Sequence, residues 1–147
     1  GANWLTVHAR TKADGYTPPA YWEKIQPITE ALDINVIANG EIWNNADAKA
    51  CLQQSNCQDI MIGRGTVTTP DLTLCIRENN DNPVLSWQDL VELQQRFLSG
   101  QFKTEIGMIG RYKQWLGMMT KAYPEAQELW TKVKKEKQLE LILQYLK

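Results

Sequence analysis

The stretch Asp59-Ile60-Met61-Ile62-Gly63-Arg64-Gly65 indicates how this chain folds. Its short apolar run, stopped by glycine, predicts a buried strand whose carboxyl end opens at Gly63-Arg64-Gly65. We expect residues 66–70 to continue from there as a polar loop closed by proline. Backbone amides and a guanidinium are good donors for a phosphate, so the end of this strand is a candidate phosphate site.

Two further strands with similar ends are predicted upstream, at residues 4–7 and 34–38. A helical pattern follows each of the three strands, over residues 20–32 (interrupted by Pro27), 46–54 and 70–78. This alternation predicts parallel strands, and ligands of parallel α/β folds bind beyond the carboxyl ends of the strands. The candidate site residues at these ends are His8, Asn39, Gly40, Glu41, Gly63 and Arg64.

Residues 79–83 (Asn-Asn-Asp-Asn-Pro) predict a linker, beyond which the chain becomes helical. Ser86 and Asp89 form a capping-box pattern for a helix that reaches about residue 99. Further helices are predicted over residues 104–122 and from Pro124, and a fourth, separate from the third or continuous with it, reaches Leu146. We therefore divide the chain into an α/β part, residues 1–83, and a small helical bundle, residues 84–147.

The helix predicted over residues 104–122 has one broad apolar face. At 100° per residue this face carries Met108, Ile109, Tyr112, Trp115, Leu116, Met119 and Tyr123. Three glycines lie away from it, and each costs about 1 kcal/mol relative to alanine, so we expect a close approach there. Arg111 and Lys113 flank the apolar face and Lys121 lies opposite; they are either a solvated surface or contacts for a polyanion.

Composition limits the possible functions. The 147 residues carry a net charge of −1, but residues 1–84 hold 6 basic against 10 acidic residues, and residues 85–147 hold 10 against 7. This asymmetry points weakly to a polyanionic partner for the second half. Three cysteines without a C-x-x-C pair predict reduced thiols and a cytoplasmic protein, no metal-ligand spacing is present, and no apolar run reaches the ~20 residues of a membrane span.

Each candidate motif also has a structural interpretation. His8 could act as an acid–base group or simply close a strand, and Asn39-Gly40-Glu41 could be an ordinary turn. Two glycine-bearing loops after consecutive parallel strands, one with an arginine, instead match the phosphate site that (β/α)₈ barrels form after their last two strands. Arg10 and Lys12 lie on the loop after the first strand, where they could hold substrate phosphates or be solvated.

Three blocks of this chain resemble the tRNA-dihydrouridine synthases, flavin enzymes that reduce uridine in the D-loop of tRNA. The blocks are Thr6-Val7-His8-Ala9-Arg10-Thr11-Lys12, Val36-Ile37-Ala38-Asn39-Gly40-Glu41-Ile42 and Met61-Ile62-Gly63-Arg64-Gly65. Residues 111–116 (Arg-Tyr-Lys-Gln-Trp-Leu) resemble the RNA-binding helical domain of the same family. Glu41 and residues 12–16 look most like the bacterial subfamily that modifies position 16.

The resemblance implies the C-terminal part of an FMN-binding (β/α)₈ barrel, with three βα units, followed by a helical tRNA-binding domain. It implies that FMN, reduced by NADPH, is held by His8, Asn39, Gly40, Glu41, Gly63 and Arg64. By the same resemblance Arg10 faces the cleft between flavin and substrate. The residues expected to contact RNA are Arg10, Lys12, Arg111, Lys113 and Lys121.

The chain departs from the family in length, because such a barrel takes ~250 residues. It starts without methionine, which we interpret as a fragment of a longer protein; the family's catalytic cysteine would belong to the upstream part. We therefore expect no catalytic residue in this chain, no activity of the chain alone, and either self-association or a need for the missing strands. Two alternatives stay open: a barrel enzyme for a small phosphorylated metabolite, and an RNA-binding helical module on a scaffold.

Overall fold

The computed structural model describes residues 1–100 and 104–147. They form a mixed α/β structure in which a three-stranded parallel sheet precedes a purely helical second half. The chain divides into an α/β unit, Gly1–Thr66 with Pro70–Asn82, and a helical unit, Val67–Thr69 with Pro83–Lys147. None of the helices in the described ranges is long and apolar enough to cross a membrane.

The α/β unit repeats a strand followed by one or more helices. Its strands are β1 (Trp4–His8), β2 (Asn35–Asn39) and β3 (Asp59–Met61). Its helices are a 3-10 turn (Trp22–Lys24), α1 (Gln26–Ala31), α2 (Asn45–Ser55) and α4 (Leu72–Arg77). The short helix α3 (Arg64–Thr68) begins in this unit, and its last two residues belong to the helical unit. The strands pair in the order β1-β2-β3, all parallel, as the repeat predicts.

One face of this sheet is covered and the other is open. Val36 and Ala38 of β2 are buried, with Ile25 and Cys51 from the helical connections. Trp4 and Met61 are 61% and 46% exposed, although they are large apolar residues in the strands. The hydrophobic core of this unit therefore lies on the helix side of the sheet.

The chain around β3 differs from the prediction in two places. Residues 66–70 were expected to be a loop, but Arg64–Thr68 forms α3, whose first turn is closed by Thr66, which donates to Gly63 O through N (3.1 Å) and Oγ1 (2.8 Å). The next helix was expected to start at Pro70 but starts at Leu72, because Asp71 O accepts the first helical bonds.

The helical unit contains α5 (Trp87–Leu98), α6 (Glu105–Met119), α7 (Pro124–Val133) and α8 (Leu139–Gln144). The predicted capping box opens α5: Ser86 Oγ accepts from Asp89 N at 3.2 Å, and the Asp89 carboxylate accepts from Ser86 N at 2.8 Å. Six of the seven predicted apolar-face residues of α6 and its C-terminal extension are buried in the core of this unit, and Trp115 packs against it.

The break between α7 and α8 has a local cause. Glu136 Oε1 accepts from the amides of Gln138 (3.0 Å) and Lys137 (2.7 Å), so the Glu136 side chain takes two donors that a continuous helix would use. These bonds lower the pKa of Glu136. Two separate helices are therefore formed where one long helix was possible.

Candidate functional site

The carboxyl ends of the three strands open into one cavity of about 590 Å³. The parallel register aligns His8 of β1 with Asn39 of β2, and Asn39 with Met61 of β3. The lining residues are His8, Tyr16, Asn39, Gly40, Glu41, Ile42, Trp43, Met61, Gly63, Arg64 and Gly65. The six residues predicted to hold a cofactor thus share one cavity.

The Asn39 side chain, at the end of β2, is hydrogen-bonded to the ends of both neighbouring strands. Its Nδ2 donates to Met61 O at 2.7 Å, which fixes the amide so that its Oδ1 faces His8 Nδ1 at 2.6 Å. Because Oδ1 can only accept, Nδ1 of His8 must carry the hydrogen. In the neutral ring Nε2 is then an acceptor, available to a hydroxyl or an N–H of a ligand.

Glu41 bridges two arginines at the centre of the site. Its Oε1 lies 3.0 Å from Arg10 Nη1 and 2.5 Å from Arg64 Nη2, and its Oε2 accepts from Trp43 Nε1 at 2.9 Å. The Glu41 backbone has φ 52, a left-handed conformation that non-glycine residues rarely adopt. Such a conformation persists only where surrounding contacts hold it, as these three do.

The surroundings of Glu41 keep it ionised. Burial alone would raise its pKa, but the bonds from Trp43 and Arg10 and the charges of Arg10 and Arg64 lower the pKa below its usual value. One carboxylate between two guanidinium groups leaves a net charge of +1 in this cluster, which favours an anionic ligand.

The guanidinium of Arg64 is held between two aromatic rings. Its Cζ lies 5.1 Å from the ring centre of Tyr16 and 5.3 Å from that of Trp43, distances typical of cation–π contacts. Its side chain is 44% exposed, and the single hydrogen bond seen for it among the described residues engages one of its five N–H donors. Arg64 therefore combines a fixed position with free donors.

Two glycines in this region have opposite surroundings. A Cβ at Gly65 would lie 2.1 Å from Ile42 O and 2.8 Å from Leu72 Cδ2, so only glycine fits this close approach of backbones. A Cβ at Gly63 would meet nothing within 4 Å, so the space above its backbone is open. At the start of α3, the backbone of Gly65 therefore packs tightly against Ile42 and Leu72, whereas the backbone of Gly63 is accessible from the cavity.

Arg10 does not lie where a nucleic-acid contact would need it. Its side chain is fully buried, with Nε donating to Pro19 O at 3.2 Å and Nη1 beside Glu41. Arg10 lies on the loop after β1, as expected, but its side chain is buried rather than solvated, because it contacts Glu41 and Pro19. Lys12, on the same loop, is exposed.

The three predicted RNA contacts of α6 and its C-terminal extension lie in different environments. Lys113 Nζ donates to Lys134 O at 3.1 Å and, by a very short bond, to Glu136 O, so it binds the carbonyls at the end of α7. Arg111 and Lys121 are exposed. A cation at a helix C-terminus is a common stabilising element, which gives Lys113 a structural role.

Sequence reasoning missed two aromatic residues of the cavity, Tyr16 and Trp43, and also Trp22, whose Nε1 donates to Gly40 O at 2.7 Å. Trp43 was detectable in part, because it lies two residues after Glu41 in the same predicted loop. Tyr16 was not, since its contact with Arg64 joins the loop after β1 to the start of α3, 48 residues further along the chain.

Similar proteins match this chain over nearly its whole length. The chain is 45% identical over 150 residues to the tRNA-dihydrouridine(16) synthase of Shewanella oneidensis, covering 99% of this chain and 46% of that protein. It is 42% identical to the tRNA-dihydrouridine(16) synthase of Pseudomonas putida, covering 92% and 44%. The chain thus spans slightly less than half the length of these curated relatives. The family model described as dihydrouridine synthase (Dus) matches residues 1–145, and the chain belongs to that family.

Proposed function

We propose that this chain carries the phosphate-binding end of an FMN site in an enzyme that reduces uridine to dihydrouridine in the D-loop of tRNA. In this proposal the α/β unit is the last three βα units of a (β/α)₈ barrel, and the helical unit contacts tRNA. The observation that carries it is the single cavity into which three parallel strands deliver His8, Asn39, Glu41 and Arg64. The names of the relatives supply the reaction and the substrate.

The residues present fit FMN. The cavity volume is within the ~300–1,000 Å³ of small-molecule sites. Arg64 offers a cationic fork for a phosphate, and the open backbone at Gly63 lies next to it. Gly40 and Glu41 would border the ribityl phosphate, and His8, fixed by Asn39, would offer Nε2 to the flavin.

Bound FMN would supply the hydride, taken from NADPH, that saturates the uracil ring. The residues of this chain would bind and orient the cofactor. Glu41 and the rings of Tyr16 and Trp43 fix the position of Arg64, and Asn39 fixes which ring nitrogen of His8 carries the hydrogen. The three cysteines are buried, away from any substrate in the cavity, and burial raises the pKa of Cys51 to about 12, which makes its thiol a poor acid. We infer that the proton donor of the reaction is not one of these cysteines.

For tRNA we propose Arg111 and Lys121, with Lys12 at the rim of the α/β unit; all three are exposed. Lys132, Lys134, Lys135 and Lys137, also exposed, add positive charge around the end of α7. Phosphate contacts of this kind make affinity fall with salt. The bond of Lys113 to α7 removes it from this set.

The test is dihydrouridine formation in tRNA lacking this modification, with FMN, NADPH and the complete gene product that carries residues 1–147. We expect dihydrouridine at one position, and loss of most product in Arg64→Ala. Residues 1–147 alone should give none. If the complete protein binds tRNA without reducing uridine, the RNA-module alternative holds; if it binds a small phosphorylated metabolite and no tRNA, the metabolic alternative holds.

A further inference from the structure

Hydrogen bonds fix both the backbone and the indole ring of Trp43. Its backbone N–H donates to Asp47 Oδ2 at 3.0 Å, in the first turn of α2. Its indole N–H donates to Glu41 Oε2 at 2.9 Å. The first bond anchors the Trp43 backbone to α2, whose N-cap, Asn44, accepts from Asp47 N at 2.8 Å. The ring therefore has a set orientation at the wall of the cavity.

Trp43 acts on Arg64 by two routes. Its ring lies 5.3 Å from Arg64 Cζ, within the distance at which a cation is attracted to an aromatic face. Its indole also holds the oxygen of Glu41 that Arg64 does not use, while Arg64 Nη2 binds Oε1. The plane of the carboxylate, and with it the position of the guanidinium, thus depends on Trp43.

We propose that Trp43 is a positioning residue that fixes the Arg64 guanidinium for a phosphate monoester. This inference rests on the proposed function, in which that phosphate belongs to FMN. A guanidinium binds phosphate with two parallel N–H donors, so its affinity depends on a fixed plane more than a lysine's would. Without Trp43, Arg64 keeps its charge but loses one aromatic wall and the constraint on its carboxylate partner.

The affinities for two flavins, FMN and riboflavin, distinguish a positioning role of Trp43 from a role in folding. FMN and riboflavin share the ring and the ribityl chain and differ in the phosphate. A residue that acts through Arg64 changes the affinity for FMN and leaves that for riboflavin nearly unchanged. A residue that merely supports the fold changes both together.

The experiment measures the dissociation constants of FMN and riboflavin by flavin fluorescence with the complete gene product. Trp43→Leu should weaken FMN about 10-fold, or 1.4 kcal/mol, and riboflavin less than about 2-fold. Trp43→Phe, which keeps a ring but loses the N–H, should fall between the wild type and Trp43→Leu. In an Arg64→Ala background Trp43→Leu should have no further effect, because the two residues act through one contact.

Trp130→Leu is the control, since Trp130 is a half-buried tryptophan of the helical unit and should leave both constants unchanged. Equal losses of FMN and riboflavin affinity in the Trp43 variants, or additive losses in the double variant, would overturn the inference. Trp43→Phe alone carries the test if Trp43→Leu does not fold: unchanged FMN affinity counts against the positioning role. A wild type that binds both flavins equally, or neither, refutes the FMN site itself.

Discussion

At the scale of single residues, the tautomer of His8 is the most specific consequence of the site. Asn39 Oδ1 requires hydrogen on Nδ1 of His8, whereas free imidazole side chains favour hydrogen on Nε2. Since His8 is the only histidine, its ¹⁵N NMR spectrum is unambiguous. We expect the Nδ1–H form in the wild type and a shift towards Nε2–H in Asn39→Leu; an Nε2–H wild type would contradict the assigned bond.

Glycine substitutions should have opposite effects at two positions. Gly65→Ala should destabilise the chain by about 1–3 kcal/mol, because the new Cβ meets the Ile42 carbonyl and the Leu72 side chain. Gly110→Ala should stabilise α6 by about 0.5–1 kcal/mol, since its Cβ would meet nothing within 4 Å. Urea unfolding measures both. A neutral Gly65→Ala would show that α3 can move away from Ile42.

The charge of Glu41 gives a pH-dependent prediction. Glu41→Gln should cost about 3 kcal/mol at pH 7, because it leaves the buried Arg10 without its carboxylate. The folded-state pKa of Glu41 is lowered, so its stabilisation is complete above the unfolded value of 4.5 and is lost as the pH falls through the folded-state pKa. The stability gap between wild type and Glu41→Gln should therefore close in acid.

Glu23→Gln, an exposed carboxylate, is the matched control and should show no such gap. A Glu41→Gln gap that stays constant from pH 7 to pH 3 would mean that the carboxylate contributes packing rather than charge.

At the scale of elements, α6 carries one cation that we expect to stabilise the fold, Lys113, and one that we propose as an RNA contact, Arg111. Lys113→Met should destabilise the chain by about 1 kcal/mol, because the carbonyls of Lys134 and Glu136 lose their donor. Arg111→Ala should leave stability within about 0.5 kcal/mol but weaken tRNA binding and reduce its salt dependence. Thermal unfolding and filter binding at several salt concentrations distinguish the two. The opposite pattern would reverse the assignments.

The strand ends could be predicted from the sequence, and the ion pairs between them could not. Apolar runs stopped by Gly63 or by Asn39-Gly40 mark where strands end, and the parallel repeat brings those ends together. The burial of Arg10 depends on Glu41, 31 positions away, and no local pattern predicts it. Whether α7 and α8 are separate stayed open at the sequence level for a related reason, since the break depends on which amides the Glu136 side chain binds.

At the scale of the whole molecule, the open face of the sheet predicts how the chain behaves alone. Trp4 and Met61 are large, apolar and exposed, and the outer edges of β1 and β3 are unpaired within the described residues. We expect residues 1–147 to self-associate in light scattering, and Trp4→Lys to reduce this. A clean monomer with β1 amides protected from hydrogen exchange would contradict the expectation.

The central claim is that the cavity at the three strand ends binds the phosphate of FMN. A crystal structure of the complete gene product grown with FMN tests it most directly. We predict the phosphate at about 2.8 Å from the Arg64 guanidinium, next to the Gly63 backbone, with the flavin extending towards His8. An FMN phosphate bound away from Arg64, or a cavity that stays empty at saturating FMN, would contradict the claim.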